Sequence, residues 1–162
     1  MTAFRVPPAP LALAAFAVAV LLGLAASPAW LPPDLGAAVH GGFAWLCHQL
    51  PARSPHTHGV PWALCHRCLG ILAGVGLGLA MAPALPARAV AAVDRLRPGC
   101  LIVVALVPLA VDWSLMALGL WTNTPASRVA TGVVFGLAAG VVLALALRQP
   151  ARAHPSPNLL TS

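Results

Sequence analysis

The chain contains no lysine, no glutamate and no tyrosine, and its acidic residues are three aspartates. Charged residues make up 7% of 162 and hydrophobic ones 60%, where a soluble domain carries roughly 25% charge. These absences exclude an ordinary water-soluble domain, and the chain reads as a membrane protein. Nine arginines give a net charge of +6. A basic stripe with interleaved surface aromatics is lacking, which argues against nucleic acid as a partner. The charge reads instead as membrane topology.

Nothing in the composition marks a second domain. A bilayer core of roughly 30 Å takes about 20 apolar residues per helix, and four stretches qualify, at 9–26, 64–84, 99–121 and 128–147. The expected fold is all-α: an integral membrane bundle of about four transmembrane helices, forming a single domain over residues 1–147. Between the spans lie an outer loop, 27–63, rich in Pro, His and Gly, and a basic loop, 85–98. The polar, Pro-rich tail 148–162 reads as disordered.

Arginines set the expected orientation. Arg5 precedes the first span, Arg88, Arg95 and Arg97 fill the loop after the second, and Arg148 and Arg152 follow the fourth. The positive-inside rule then puts both termini and the tail in the cytoplasm of a bacterial plasma membrane, with the lipid bilayer as partner. Arg53, Arg67 and Arg128 fall on the opposite side, beside the cysteines and histidines, which points to a local job. The first span, with Arg5 before it and Ala25-Ala-Ser-Pro-Ala-Trp30 after it, also resembles a cleavable secretory signal. Its Pro-rich flanks and near-spanning length favour a retained helix.

Glycine spacing pairs two of the spans. The second carries Gly70, Gly74 and Gly78, and the fourth Gly132, Gly136 and Gly140, each a doubled small-xxx-small pattern that lets backbones approach closely. Both series begin just after a polar start, which predicts a tight parallel crossing with Arg128 and Thr131 beside Cys65 and Cys68. A seam between two copies gives the same pattern, so a homo-oligomer is the competing reading.

The residues able to carry chemistry all predict to the outer side. They are Cys47-His48-Gln49, Arg53-Ser54, His56 and His58, Cys65-x-Arg67-Cys68-x-Gly70, Asp112, Asn123, Arg128 and Thr131. This combination, C-H-Q-x-P-x-R-S, then C-x-R-C-x-G, a lone intramembrane Asp and N-x4-R-x2-T-G, resembles a family of small bacterial and archaeal proteins known as predicted membrane proteins with a domain of unknown function. The resemblance spans about residues 40–140. It implies a shared site at Cys47, His48, Gln49, Arg53, Ser54, Cys65, Arg67, Cys68, Gly70, Asp112, Asn123, Arg128 and Thr131, and supplies no activity. The family pattern has a glutamine a few residues after its Asp, where this chain reads Asp112-Trp-Ser-Leu-Met116. A role that needs that amide does not carry over.

A Cys-x-x-Cys pair can chelate one ion, and Cys47 with His48 upstream completes a Cys3His set, an ordinary tetrahedral zinc composition. Thiolates also suit iron and Cu(I). Because His48 adjoins Cys47, both can ligate only from a bent backbone, and His56, His58 or His66 are alternative fourth ligands. A c-type haem is not indicated, since Leu69 and not His follows Cys68. The competing chemistry is thiol redox at Cys65 and Cys68, where a helix start and Arg67 favour thiolate. Membrane thiol relays use two outer pairs, however, and here Cys47 has no partner while Cys100 predicts to the inner side. A structural disulfide is the third option.

Asp112 lies nine positions before Trp121, which predicts a depth of roughly 13 Å at 1.5 Å per residue. A carboxylate there is costly and calls for a partner, with Arg67 and Arg128 as candidates. Asp112, Arg67 and Arg128 are thus the catalytic or relay candidates, and an ion or lipid carrier with a polar cavity is the remaining functional class. Trp30, Trp45, Trp62 and Trp121 predict to an interfacial belt. His40-Gly41-Gly42 predicts the start of a short interfacial helix that delivers Cys47, and His56 with His58 read as part of a solvated loop.

Overall fold

The computed structural model describes residues 8–147, so Arg5, Arg148, Arg152 and the tail lie outside the described residues. Six α-helices follow in order: α1 Pro8–Ala26, α2 Pro33–Phe43, α3 His66–Met81, α4 Ala87–Arg95, α5 Pro98–Ala117 and α6 Pro125–Leu147. A two-stranded hairpin, β1 His56–Thr57 with β2 Val60–Pro61, sits between α2 and α3. The fold is all-α, and among the described residues four helices are long and apolar enough to cross a membrane: Ala9–Trp30, His66–Ala84, Pro98–Ala117 and Pro125–Leu147.

These four stand in the spatial order α1, α3, α6, α5. The closest packing is between α3 and α6, and glycine is its cause. A Cβ at Gly74 would sit 2.5 Å from the Val133 carbonyl oxygen, one at Gly78 2.5 Å from that of Leu137, and one at Gly132 2.5 Å from that of Arg67. Residue numbers rise together along both helices, so the pair is parallel and its backbones touch through the full row. On another face of α3, Gly76 receives Val18 of α1, and Leu11, Val18, Leu79 and Ala144 pack into one core cluster. Helix α5 leans chiefly on α6. It keeps Pro108 in its interior, a residue that membrane helices tolerate, and an apolar crevice of about 430 Å³ opens there between Val104, Pro108, Val134 and Val141.

Several boundaries differ from expectation for identifiable reasons. Helix α5 stops at Ala117, four residues before the expected 121. Gly119 adopts φ +70, its N–H donates to the Met116 carbonyl at 3.0 Å, and the Leu120 N–H donates to that of Leu115 at 3.0 Å. That bond pair is a Schellman cap, which spends the final carbonyls and turns the chain. Helix α6 begins at Pro125, three residues earlier than expected, because Thr124 Oγ1 accepts from the Ser127 N–H at 3.1 Å and Pro125 suits the first helical position.

The stretch 27–63 is more ordered than its composition implies. Helix α2 ends near His40-Gly41-Gly42, where a helix was expected to begin; the start signal is Pro33 at the first position with Asp34 in the first turn. His58 and Gly59, with φ of 51 and 79, make the tight turn of the hairpin. Trp62 is half-buried and its Nε1–H donates to Thr57 Oγ1 at 2.8 Å, so it pins the hairpin and is not part of an exposed belt. Trp30, Trp45 and Trp121 are exposed. The expected basic loop holds α4, with Arg88 and Arg95 outward and Val90 and Val93 half-buried.

Candidate metal centre

The bundle has one chemically dense end. The Ala63 N–H donates to the Ala25 carbonyl at 2.8 Å, which fastens the start of α3 to the end of α1. Gly132 against Arg67 brings the start of α6 to the same place. Cys100, exposed in the first turn of α5, lies at the opposite end with α4.

Cys65 is the N-cap of α3, which makes Cys68 its third helical residue. Those two positions are the pair that face each other in a capping box, so the Cys-x-x-Cys sulfurs converge. The third sulfur comes from the chain leaving α2. The Cys47 N–H donates to the Phe43 carbonyl at 3.0 Å, and Cys47 is buried with Phe43, Ala25, Ala63 and Leu64. Two amides then aim at its sulfur: Cys47 Sγ accepts from the Gln49 N–H at 3.4 Å and from the Cys65 N–H at 3.2 Å. The sulfurs of Cys47, Cys65 and Cys68 all lie within 4.8 Å of one another, and all three cysteines are free thiols.

Gln49 supports this turn from behind. Its backbone is left-handed, with φ 51, and its Nε2 donates to the His40 carbonyl at 2.7 Å, capping the end of α2. His48 between them is exposed, and among the described residues no histidine joins the sulfur group. His66 Nδ1 donates to the Arg53 carbonyl at 2.6 Å, and His56 Nδ1 to that of Ser54 at 3.0 Å, so these nitrogens are occupied. His58 sets its ring edge-on to Trp30 with centroids 6.4 Å apart. The buried Ser54 hydroxyl donates to the Leu50 carbonyl at 3.2 Å and holds the turn before the hairpin.

Electrostatics at the N-terminus of α3 favour thiolate. The neighbouring Cys68 thiol holds Cys65 well below the usual thiol range, at about 4, outweighing the burial that opposes it; the nearby amides of Cys68 and Arg67 and the Cys47 thiol add to the effect.

Arg67, next in α3, points away from the sulfurs to α5, where its Nη2 pairs with Asp112 Oδ2. Asn123 Nδ2 donates to the same oxygen at 2.6 Å and to the Asp112 carbonyl at 3.2 Å. Asp112 is buried, 8% exposed, and sits five residues from the end of α5. That is about 7.5 Å of helix from its end. Arg67 Nε and Asn123 Oδ1 are buried without partners. Arg128 is half-buried near the start of α6, and Thr131 Oγ1 donates to the Ser127 carbonyl at 2.9 Å, so that hydroxyl serves its own helix.

Sequence reasoning named the three cysteines, Arg67 and Asp112 but missed how Asn123 and His66 act. Asn123 reaches Asp112 only because the Schellman cap folds 118–124 back, and the Gly119 signal for that turn was available. No sequence signal links His66 to Arg53.

A family model described as "Predicted membrane protein (DUF2085)" matches residues 47–142, from Cys47 through the glycine row of α6. The chain belongs to that family. It is also 31% identical over 96 residues to an uncharacterised protein of Methanocaldococcus jannaschii, a stretch that covers 58% of each chain. The chain therefore spans under two thirds of that relative's length. No solved structure matches it.

Proposed function

We propose that this membrane protein binds a transition metal through Cys47, Cys65 and Cys68. The observation that carries the reading is the convergence of three sulfurs from two separate segments within 4.8 Å, with two amides directed at the most buried of them. A structural disulfide needs two cysteines, and a third held by its own amide cradle fits a thiolate ligand set better. Zinc suits the donors, with iron or Cu(I) as alternatives. Three thiolates leave one tetrahedral position, which exposed His48 or an exogenous ligand fills; the second case makes an exchangeable, functional site. Arg88, Arg95 and Arg97 at the far end support a cytoplasmic side there under the positive-inside rule, and with it a site that faces outward from the plasma membrane.

A second reading is a Cys65–Cys68 dithiol that exchanges with an external disulfide, which the lowered Cys65 thiol favours. Elemental mass spectrometry on detergent-purified protein, with free thiols counted after denaturation, separates the two. The metal reading expects near-stoichiometric metal and four free thiols, with metal lost in Cys65→Ser/Cys68→Ser. Absent metal with two free thiols would overturn it and support the redox couple.

A further inference from the structure

The dense end of the bundle carries more positive charge than its carboxylates answer. Arg53 closes the short turn Pro51–Arg53 and is fastened to the first residue of α3 through its carbonyl and His66. Arg67 follows in the same turn of α3, and the seating of Gly132 on the Arg67 carbonyl sets the first turns of α3 and α6 side by side, with Arg128 among them. Arg128 stands within electrostatic range of Arg53, Arg67, Asp112 and Cys65. Asp112 is the carboxylate of this group, and its Oδ2 is already shared by Arg67 and Asn123. Among the described residues neither the Arg53 nor the Arg128 guanidinium has an ion-pair or hydrogen-bond partner. Arg53 is exposed and Arg128 half-buried.

The parallel crossing adds to this imbalance. Two helices in backbone contact present both N-termini at one end, each equivalent to about half a positive charge. Asp112 and the Cys65 thiolate offset part of this charge, and an anion held by Arg53 and Arg128 would offset the rest. Guanidinium forks match the geometry of phosphate oxygens, and this end of the bundle is where headgroups or soluble anions have access.

We infer that Arg53 and Arg128 form an oxyanion site, for a phosphate group, at the mouth of the α3/α6 pair beside the three sulfurs. The site stands on the arginines and their placement. A lipid headgroup and a free phosphate share the recognised chemistry, and the test separates them.

Isothermal titration of the delipidated full-length protein in neutral detergent would use three probes: inorganic phosphate, dioctanoyl phosphatidylglycerol and phosphate-free dioctanoylglycerol. Saturable binding of either phosphate-bearing probe is expected, without binding of dioctanoylglycerol. Arg53→Gln should weaken it about tenfold or more, and Arg53→Gln/Arg128→Gln further, the loss of charged hydrogen bonds. Arg88→Gln/Arg95→Gln on α4 should leave it unchanged. Binding of the lipid alone assigns the site to a headgroup, and binding of both assigns it to a soluble oxyanion. Absent saturable binding, or equal binding by wild type and the well-exposed Arg53→Gln variant, overturns the inference, and the arginines then serve only the thiolates.

Discussion

Arg67 and Asp112, 45 residues apart, form an ion pair that ties the first turn of α3 to α5. Helix α5 otherwise leans chiefly on α6, so this pair and Asn123 link it directly to the cysteine end. Removing one partner strands the other charge in a low-dielectric site, which costs about 3–5 kcal/mol, whereas replacing both by apolar groups is often tolerated. Asp112→Ala should therefore lower the thermal midpoint strongly, and Arg67→Met/Asp112→Leu should recover much of the loss. Tryptophan fluorescence on heating in detergent reads both. Equal losses in single and double variants would refute the pairing.

The α3/α6 crossing leaves no room for a side chain. Gly74→Val should cost on the order of 3 kcal/mol, because the Val133 carbonyl would have to retreat. Gly42→Ala in α2, where an added Cβ meets nothing within 4 Å, should be neutral or stabilising by about 0.5–1 kcal/mol. Size-exclusion chromatography alongside the melts tests the alternative seam: a Gly74→Val variant that is fully stable but changes oligomeric state would place the contact between chains.

Cys65 should stay reactive in acid. Its pKa is lowered to about 4, so the thiolate persists as pH falls and is lost only as pH passes through that value. In chelator-treated, reduced protein, iodoacetamide labelling of the Cys65 peptide should hold a plateau from pH 8 to about 5, where a free thiol of pKa about 8.5 has lost nearly all reactivity. A labelling curve with the free-cysteine midpoint would remove the thiolate argument.

The turn after α5 positions Asn123. Gly119→Ala forces a left-handed alanine and should cost about 1–2 kcal/mol. Asn123→Leu removes two hydrogen bonds to Asp112 and should cost about 1–3 kcal/mol. Neither residue touches the sulfurs, so metal content should be unchanged in both, and loss of metal in either would show that the turn shapes the centre itself.

Hydropathy made the four spans legible, because lipid demands long apolar helices and little else satisfies it. Glycine spacing pointed to a close helix crossing, and the α3/α6 contact within one chain is what the structure adds, since a seam between two copies shares the same pattern. The cysteines and Asp112 stood out as residues too costly or too reactive to be incidental. What stayed hidden depends on backbone direction. Gln49 as a cap for α2, His66 as a tether for Arg53 and Asn123 folded back on Asp112 all use side chains whose targets are carbonyls or distant residues, and periodicity carries no trace of them. Pro and Gly in 27–63 resembled loop composition, although Pro33 starts a helix and His58-Gly59 closes a hairpin.

The serial order α1, α3, α6, α5 also bears on transport. Between α3 and α6 the backbones meet with glycine alone between them. A lone copy has no lumen along its tightest seam. Among the described residues, a path for a permeant would have to follow another face of the bundle than the α3/α6 seam.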